Sequence, residues 1–383
     1  MRCRSEAPFK TFTTSPVVKK RATLRNSGSL IMPNFIENLT SVWDYLKNTD
    51  KPIILYGMGD GADKVLREFD KLNIKPSGVM ASDDFVRYQQ FHGFTVEKLS
   101  DIEERFGDFV IALCFASQLP DVMAHIREVA KKHTLLVPSV PVFGENIFNE
   151  SFYRENEAEI NRAYELLGDE QSRRVFADII RFQYSGELKY LDSCTTRKDE
   201  AFENILKLSD SEDYLDLGAY NGDTIDEFLS YTDKKYRSIT ALEPNLKSFN
   251  KLKEHCAEME KVNLWQLGSY NENRLINFNT KSGRNCAIDS SGTPVHVARV
   301  DTILCGKRIT YAKLDVEGAE KETFEGMETT IKLFKPKLNV AAYHRSEDLF
   351  GLILQLKELN PEYQFYLRHH PYIPHWDTNL YCK

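Results

Sequence analysis

Apolar residues along this chain recur in two rhythms. Short unbroken apolar runs alternate with stretches in which apolar positions return every third or fourth residue. The first rhythm marks strands buried on both faces, the second marks amphipathic helices. Ile53–Tyr56 reads as a strand, Gly57–Ala62 as a turn, and Asp63–Leu72 as a helix that aligns Val65, Leu66, Phe69 and Leu72. Ser77–Ala81, Phe109–Phe115 and Leu135–Val137 read as further strands, with a helix over Leu119–Lys131. Residues 146–190 carry no strand signal. Ile160, Ala163, Tyr164 and Leu167 step by threes and fours until Gly168 supplies a stop, and Val175, Phe176, Ile179 and Ile180 mark a second helix.

From residue 196 the alternation begins again. Strands are expected at Tyr214–Leu217, Ser238–Leu242, Asn263–Leu267, Ile309–Val316 and Leu338–Tyr343. Helices are expected at Thr224–Ser230, Leu246–Met259, Ala319–Phe334 and Asp348–Leu359. The chain closes on two β-type segments, Tyr363–Leu367 and Thr378–Cys382, around a loop with two prolines. Strands alternating with helices predict parallel sheets covered on both faces, hence an α/β protein. The expected organisation is an extension over 1–31, a Rossmann-like domain over 32–145, a helical linker over 146–195 and a second α/β domain over 196–383.

Composition narrows the partners. The net charge of −7 argues against nucleic acid, whose phosphates call for excess Lys and Arg. No apolar run approaches the ~18 residues of a membrane-spanning helix. Seven scattered cysteines with no Cys-x-x-Cys argue against a disulfide framework or zinc site and for a reducing, cytoplasmic setting. Cys114 sits in an apolar run and reads as a small buried hydrophobe. Residues 1–31 set Arg2, Arg4, Lys10, Lys19, Lys20, Arg21 and Arg25 against Glu6 alone. That composition fits an organellar presequence, but no amphipathic face is evident. Disorder, or a false start with Met32 as the working initiator, is the preferred expectation.

The chemistry concentrates after residue 213. Tyr214–Thr224 runs from a strand into a turn with Gly218 and Gly222, then into a helix. Glycine permits close approach of the backbone to a ligand, and a helix N-terminus offers free N–H groups. The G-x-x-x-G spacing is not the G-x-G-x-x-G suited to a pyrophosphate. Asp216, two residues before the first glycine, would repel a pyrophosphate and attract a cation such as a sulfonium. Glu243, at the end of the next strand, can accept hydrogen bonds from a ribose diol. Ala312–Glu320 places Asp315, Glu317 and Glu320 at another strand end, the edge where open α/β sheets bind ligands.

With these motifs assembled, roughly residues 190–383 resemble the FkbM-type family of class I S-adenosylmethionine-dependent methyltransferases. The residues that carry the resemblance are Asp216-Leu217-Gly218-Ala219 with Gly222-Asp223-Thr224, Glu243-Pro244-Asn245, Val300-Asp301, and Lys313–Glu320 with Gly326 and Lys335-Pro336. The resemblance implies a seven-stranded sheet with an antiparallel final strand. It also implies methyl transfer to oxygen, often on a saccharide or secondary metabolite. The expected cofactor contacts are Asp216, Gly218, Ala219, Gly222, Asp223, Thr224, Glu243, Pro244, Asn245, Gly268, Asp315 and Glu317. His344, just past a strand, is the expected general base with Asp315 as its competitor, and the acceptor hydroxyl would attack the methyl carbon in line with the departing sulfur.

Two features stay open. Gly57–Ala62 fits G-x-G-x-x-A after a strand, with Asp83 and Asp84 following, and resembles the Rossmann-like domain that precedes sugar acyltransferases. A positioning role, a nucleotide-sugar site and an NAD site all fit. A nucleotide-binding protein whose methyltransferase fold is non-catalytic is therefore the alternative. His369, His370 and His375 lie in the terminal loop beside Trp376 and Asp377, where a surface or substrate-contact role is expected. A metal at these histidines or at Asp315 with Glu317 is weighed but not expected, because spacing alone does not show ligands converging.

Overall fold

The computed structural model describes residues 33–279, 287–288 and 293–383. The expectations for residues 1–31 and for Met32 lie outside them. Asn34–Lys383 form one compact unit. No helix among the described residues is long and apolar enough to cross a membrane.

The first sheet holds six strands: β1 Ile53–Tyr56, β2 Gly78–Met80, β3 Gln90–Phe91, β4 Phe94–Glu97, β5 Val110–Leu113 and β6 Thr134–Leu136, in the order β3-β4-β2-β1-β5-β6. All neighbours run parallel except the β3–β4 hairpin. That hairpin had no apolar run to announce it, and its turn uses His92 and Gly93 at positive φ. The helix after β1 spans Asp60–Leu72, starting three residues before the expected Asp63, because Gly59 in extended conformation ends the turn.

Three helices, Glu150–Glu165, Glu170–Ser185 and Leu188–Cys194, follow. Asp169 caps the second by accepting from Ser172 N at 2.7 Å. The second helix docks on the far sheet: Leu367 N donates to Ser172 Oγ at 2.9 Å, and buried Arg368 reaches Asp169 Oδ2 at 2.7 Å and Glu200 Oε2 at 2.5 Å.

The strands that follow are β7 Asp213–Leu217, β8 Ser238–Leu242, β9 Val262–Trp265, β10 Gly268–Ser269, β11 Arg274–Asn279, β12 Ala287–Ile288, β13 Thr293–Ala298, β14 Tyr311–Leu314, β15 Lys337–Ala341, β16 Phe365–His369 and β17 Thr378–Cys382. Seven of them form one sheet, β16-β17-β15-β14-β7-β8-β9, in which β17 is antiparallel to both neighbours. The expected seven-stranded topology is therefore present. β10 to β13 form a separate four-stranded sheet that no sequence pattern foretold.

Two elements differ in extent. The β14 strand is shorter than Ile309–Val316, and Asp315 lies just past its end. The helix expected over Ala319–Phe334 is two, Glu320–Gly326 and Glu328–Phe334. A Cβ on Gly326 would stand 1.9 Å from the Tyr270 carbonyl oxygen, so the chain turns there. Asp301 then caps the second helix, accepting from Thr329 N and Thr330 N at 2.9 Å each.

The largest apolar cluster joins Ile54, Tyr56 and Ile111 of the first sheet, Phe176 and Ile180 of the second helix, and Leu215, Leu314 and Val340 of the second sheet.

Candidate active site

Parallel register sets the site. Leu217 pairs with both Leu242 and Leu314, so β7, β8 and β14 end level. The residues just beyond, Gly218, Glu243 and Asp315, therefore meet at one edge. The chain leaves β7 for β8 on one side while β14 lies on the other, which is the crevice where open α/β sheets hold ligands.

A cavity of about 400 Å³ opens there. Of the expected contacts, Gly218, Asp223, Thr224, Glu243, Pro244, Asn245, Gly268, Asp315, Glu317 and His344 line it. Asp216, Ala219 and Gly222 do not. Asp216 and Ala219 are wholly buried. Gly222 lies at φ +100 against the His255 ring.

The glycine turn also joins the strands of the sheet. Gly218 N and Ala219 N both donate to Leu242 O at 3.0 Å. A Cβ on Gly218 would fall 1.9 Å from Asp315 O. Close backbone approach is thus spent on joining β7 to β14. Tyr220 N donates to Glu243 Oε2 at 2.9 Å, and Asn245 N donates to Glu243 Oε1 at 2.7 Å. Both carboxylate oxygens are held in place while the side chain faces the cavity. Burial pushes Glu243 up to about 7 against those two hydrogen bonds. Asn245 caps the next helix through Lys247 N and Ser248 N. Beneath the turn, Thr224 Oγ1 donates to Asp216 Oδ2 at 2.5 Å, while Asp216 Oδ1 has no hydrogen-bond partner. Burial raises Asp216 to about 6.

Across the cavity, His344 is 1% exposed and ringed by acids. Its Nε2 lies 3.4 Å from Asp315 Oδ1 and 3.5 Å from Glu317 Oε2, and its Nδ1 lies 2.9 Å from Glu320 Oε1. Burial alone would lower its pKa, but Glu320, Glu317 and Asp315 outweigh burial and raise it to about 10. The ends of β14 and β15 bring three carboxylates to a single ring, and these favour its charged form. Lys313 Nζ contacts Asp315 Oδ2 at 3.3 Å.

Sequence reading missed Lys198, which joins the cavity wall and pairs with Glu227 at 3.0 Å and Asp377 at 3.6 Å. These are lone residues from separate elements, with no local pattern to reveal them. The terminal histidines are not on the surface. His369, His370 and His375 are buried, tied down by Thr196 N donating to His369 O at 2.8 Å and by contact of His370 Nε2 with Tyr381 Oη at 2.7 Å. Burial holds His369 and His375 down to about 3.

At the first sheet, Gly61 packs on the Cys114 carbonyl, where a Cβ would sit at 2.2 Å, and Ala62 is fully buried. Gly59 faces open space, beside a second cavity of about 210 Å³ whose wall includes Asp60, Val140, His375 and Trp376. Among the described residues no Lys or Arg lines that cavity, and the Asp60 carboxylate does. Trp376 lines both cavities.

Comparison with known proteins agrees with this geometry. Residues 216–373 match the model of the methyltransferase FkbM domain. The crystal structure of methyltransferase FkbM from Methylobacillus flagellatus superposes with a TM-score of 0.67 at 19% identity, covering 92% of this chain and 94% of that one. A fibrillarin/Nop5p complex (TM-score 0.30, 18% identity, covering 46% of this chain and 72% of that one) also matches. So does an rRNA methylase from Streptococcus thermophilus (0.32, 15%, covering 48% and 92%). No curated protein matches the sequence.

Proposed function

Over residues 216–373 the chain is a member of the FkbM methyltransferase domain family, and from that premise we propose that it is an S-adenosylmethionine-dependent O-methyltransferase acting on a hydroxyl of a saccharide or secondary metabolite. The observation that carries the reading is Glu243, fixed by two backbone N–H groups with its carboxylate on the cavity wall. That arrangement fits a ribose diol. S-adenosylmethionine, when bound, supplies a methyl group on a positively charged sulfur.

The chain's own residues bind, orient and receive a proton. Glu243 and the Gly218 turn hold the cofactor end of the cavity. His344, Asp315 and Glu317 face the opposite end, where an acceptor hydroxyl would lose its proton to the cluster. Positioning and proton removal are the two contributions a direct methyl transfer draws on. The first sheet has a part in this reading. Its cavity shares Trp376 with the larger one, which supports a role in placing the acceptor.

Calorimetry with adenosylhomocysteine tests the cofactor. One site per chain is expected, weakened by ~1.5–3 kcal/mol in Glu243→Ala, the range for hydrogen bonds to a charged group. Unchanged affinity in the folded variant would remove the basis of the reading. Incubating the chain with methyl-labelled cofactor and a small-molecule extract tests the acceptor. Label recovered on nitrogen or carbon, with none on oxygen, would overturn the O-methyl assignment.

A further inference from the structure

We propose that Asp315, Glu317, Glu320 and His344 bind one divalent metal ion at the wall of the larger cavity, beside the place of the acceptor hydroxyl. The ion's role rests on the methyltransferase reading; its binding does not.

Three observations support the site. First, Asp315, Glu320 and His344 each bring a ligating atom within 4.8 Å of the other two. Asp315 Oδ1 and Glu317 Oε2 face the same imidazole nitrogen at 3.4 and 3.5 Å. Ligands ~2.1 Å from an ion stand ~3 Å apart at right angles and at most ~4.2 Å apart, so these side chains must close around an ion, which would meet His344 at one nitrogen only. Second, the cluster keeps open lone pairs where water cannot reach. Glu320 is 1% exposed, yet its Oε2 has no hydrogen-bond partner. Native proteins rarely leave such atoms unpaired. His344 Nδ1 stands 2.9 Å from Glu320 Oε1, so that nitrogen is held against the acid. Third, outer contacts orient the ligands, as they do around bound metals. Lys313 takes the other Asp315 oxygen, and Val316 N donates to Glu320 Oε1 at 3.0 Å.

Carboxylates with one imidazole suit a hard or borderline ion such as Mg²⁺ or Mn²⁺. An ion there would draw electron density from an acceptor oxygen and ease loss of its proton. It favours acceptors with two neighbouring oxygens, a vicinal diol or a hydroxy acid, which can chelate.

The test is titration of the full chain with Mn²⁺, following free ion by electron paramagnetic resonance, alongside calorimetry with adenosylhomocysteine. One Mn²⁺ per chain is expected, with affinity reduced at least tenfold in His344→Ala and in Glu320→Gln. If His344→Ala does not fold, the isosteric Glu320→Gln and the wild-type stoichiometry still decide. Adenosylhomocysteine binding with no Mn²⁺ uptake at millimolar concentration would overturn the site, as would equal uptake by both variants. Mn²⁺ uptake without adenosylhomocysteine binding would keep the site and remove the methyltransferase reading.

Discussion

Glu243 shows how one side chain couples ligand binding to protons. Burial keeps it protonated up to about pH 7 in the empty site, and its two backbone hydrogen bonds only partly offset this. A ribose diol donates hydrogen bonds and so requires the carboxylate. Binding therefore releases the proton. Affinity for adenosylhomocysteine should be level above about pH 7 and fall below it, by up to ~tenfold per unit. Glu243→Gln should bind weakly throughout and lose the slope. A wild-type affinity that is flat between about pH 5.5 and 8 would contradict this coupling. The sequence made Glu243 legible because it ends an apolar run one strand after a glycine turn. The job of Gly218 was not legible. Only three dimensions show that the Asp315 carbonyl, far along the chain, occupies the space a side chain would need. Gly218→Ala faces both that clash and a φ of +86. It should lower stability by ~2 kcal/mol or more, seen as a lower urea midpoint with an unchanged slope. An unaltered midpoint would mean the turn relaxes freely.

At the scale of elements, strands and helices with strong periodicity were legible, and several of their ends were not. Ile53–Tyr56, Ser238–Leu242, Asp348–Leu359 and Thr378–Cys382 stand where the pattern puts them. The Ala319–Phe334 run reads as one helix because Phe324, Met327 and Ile331 step by threes and fours across the break. The break comes from outside, from the Tyr270 carbonyl and the Asp301 cap. The convergence of His344 with three acids was likewise hidden, since it depends on β14 and β15 lying side by side. Arg368 is a comparable case. It lies on β16, is 2% exposed, and ties the cap of the Glu170–Ser185 helix to Glu200. Removing one partner of a buried ion pair strands the others, at ~3–5 kcal/mol. Asp169 and Glu200 are each about one-third exposed and regain water, so Arg368→Met should cost ~3 kcal/mol, at the lower end of that range. Denaturant titration showing a loss under ~1 kcal/mol would mean the pairs contribute no more than surface ones.

At the scale of the molecule, the two sheets share one apolar cluster through the Glu170–Ser185 helix. Neither sheet can open without exposing side chains of the other. Unfolding of residues 34–383 should therefore be a single calorimetric transition, although the sequence divides into two strand–helix alternations. The same transition should be acid-sensitive. Burial holds His369 and His375 to about 3, and unfolded histidines take up protons near pH ~6.5. Between those values the unfolded chain binds protons that the folded chain refuses. The contribution is complete above pH ~6.5 and is lost as the pH falls toward 3, by up to ~1.4 kcal/mol per unit for each histidine. His375 touches the second cavity and Trp376 touches both, so the loop that carries them should loosen as the histidines charge. Scanning calorimetry across this range should show one peak moving to lower temperature. His375→Gln, which cannot charge, should shift less than wild type. Two separate peaks would show that the sheets unfold independently. A His375→Gln profile that tracks wild type at every pH would place the acid sensitivity elsewhere.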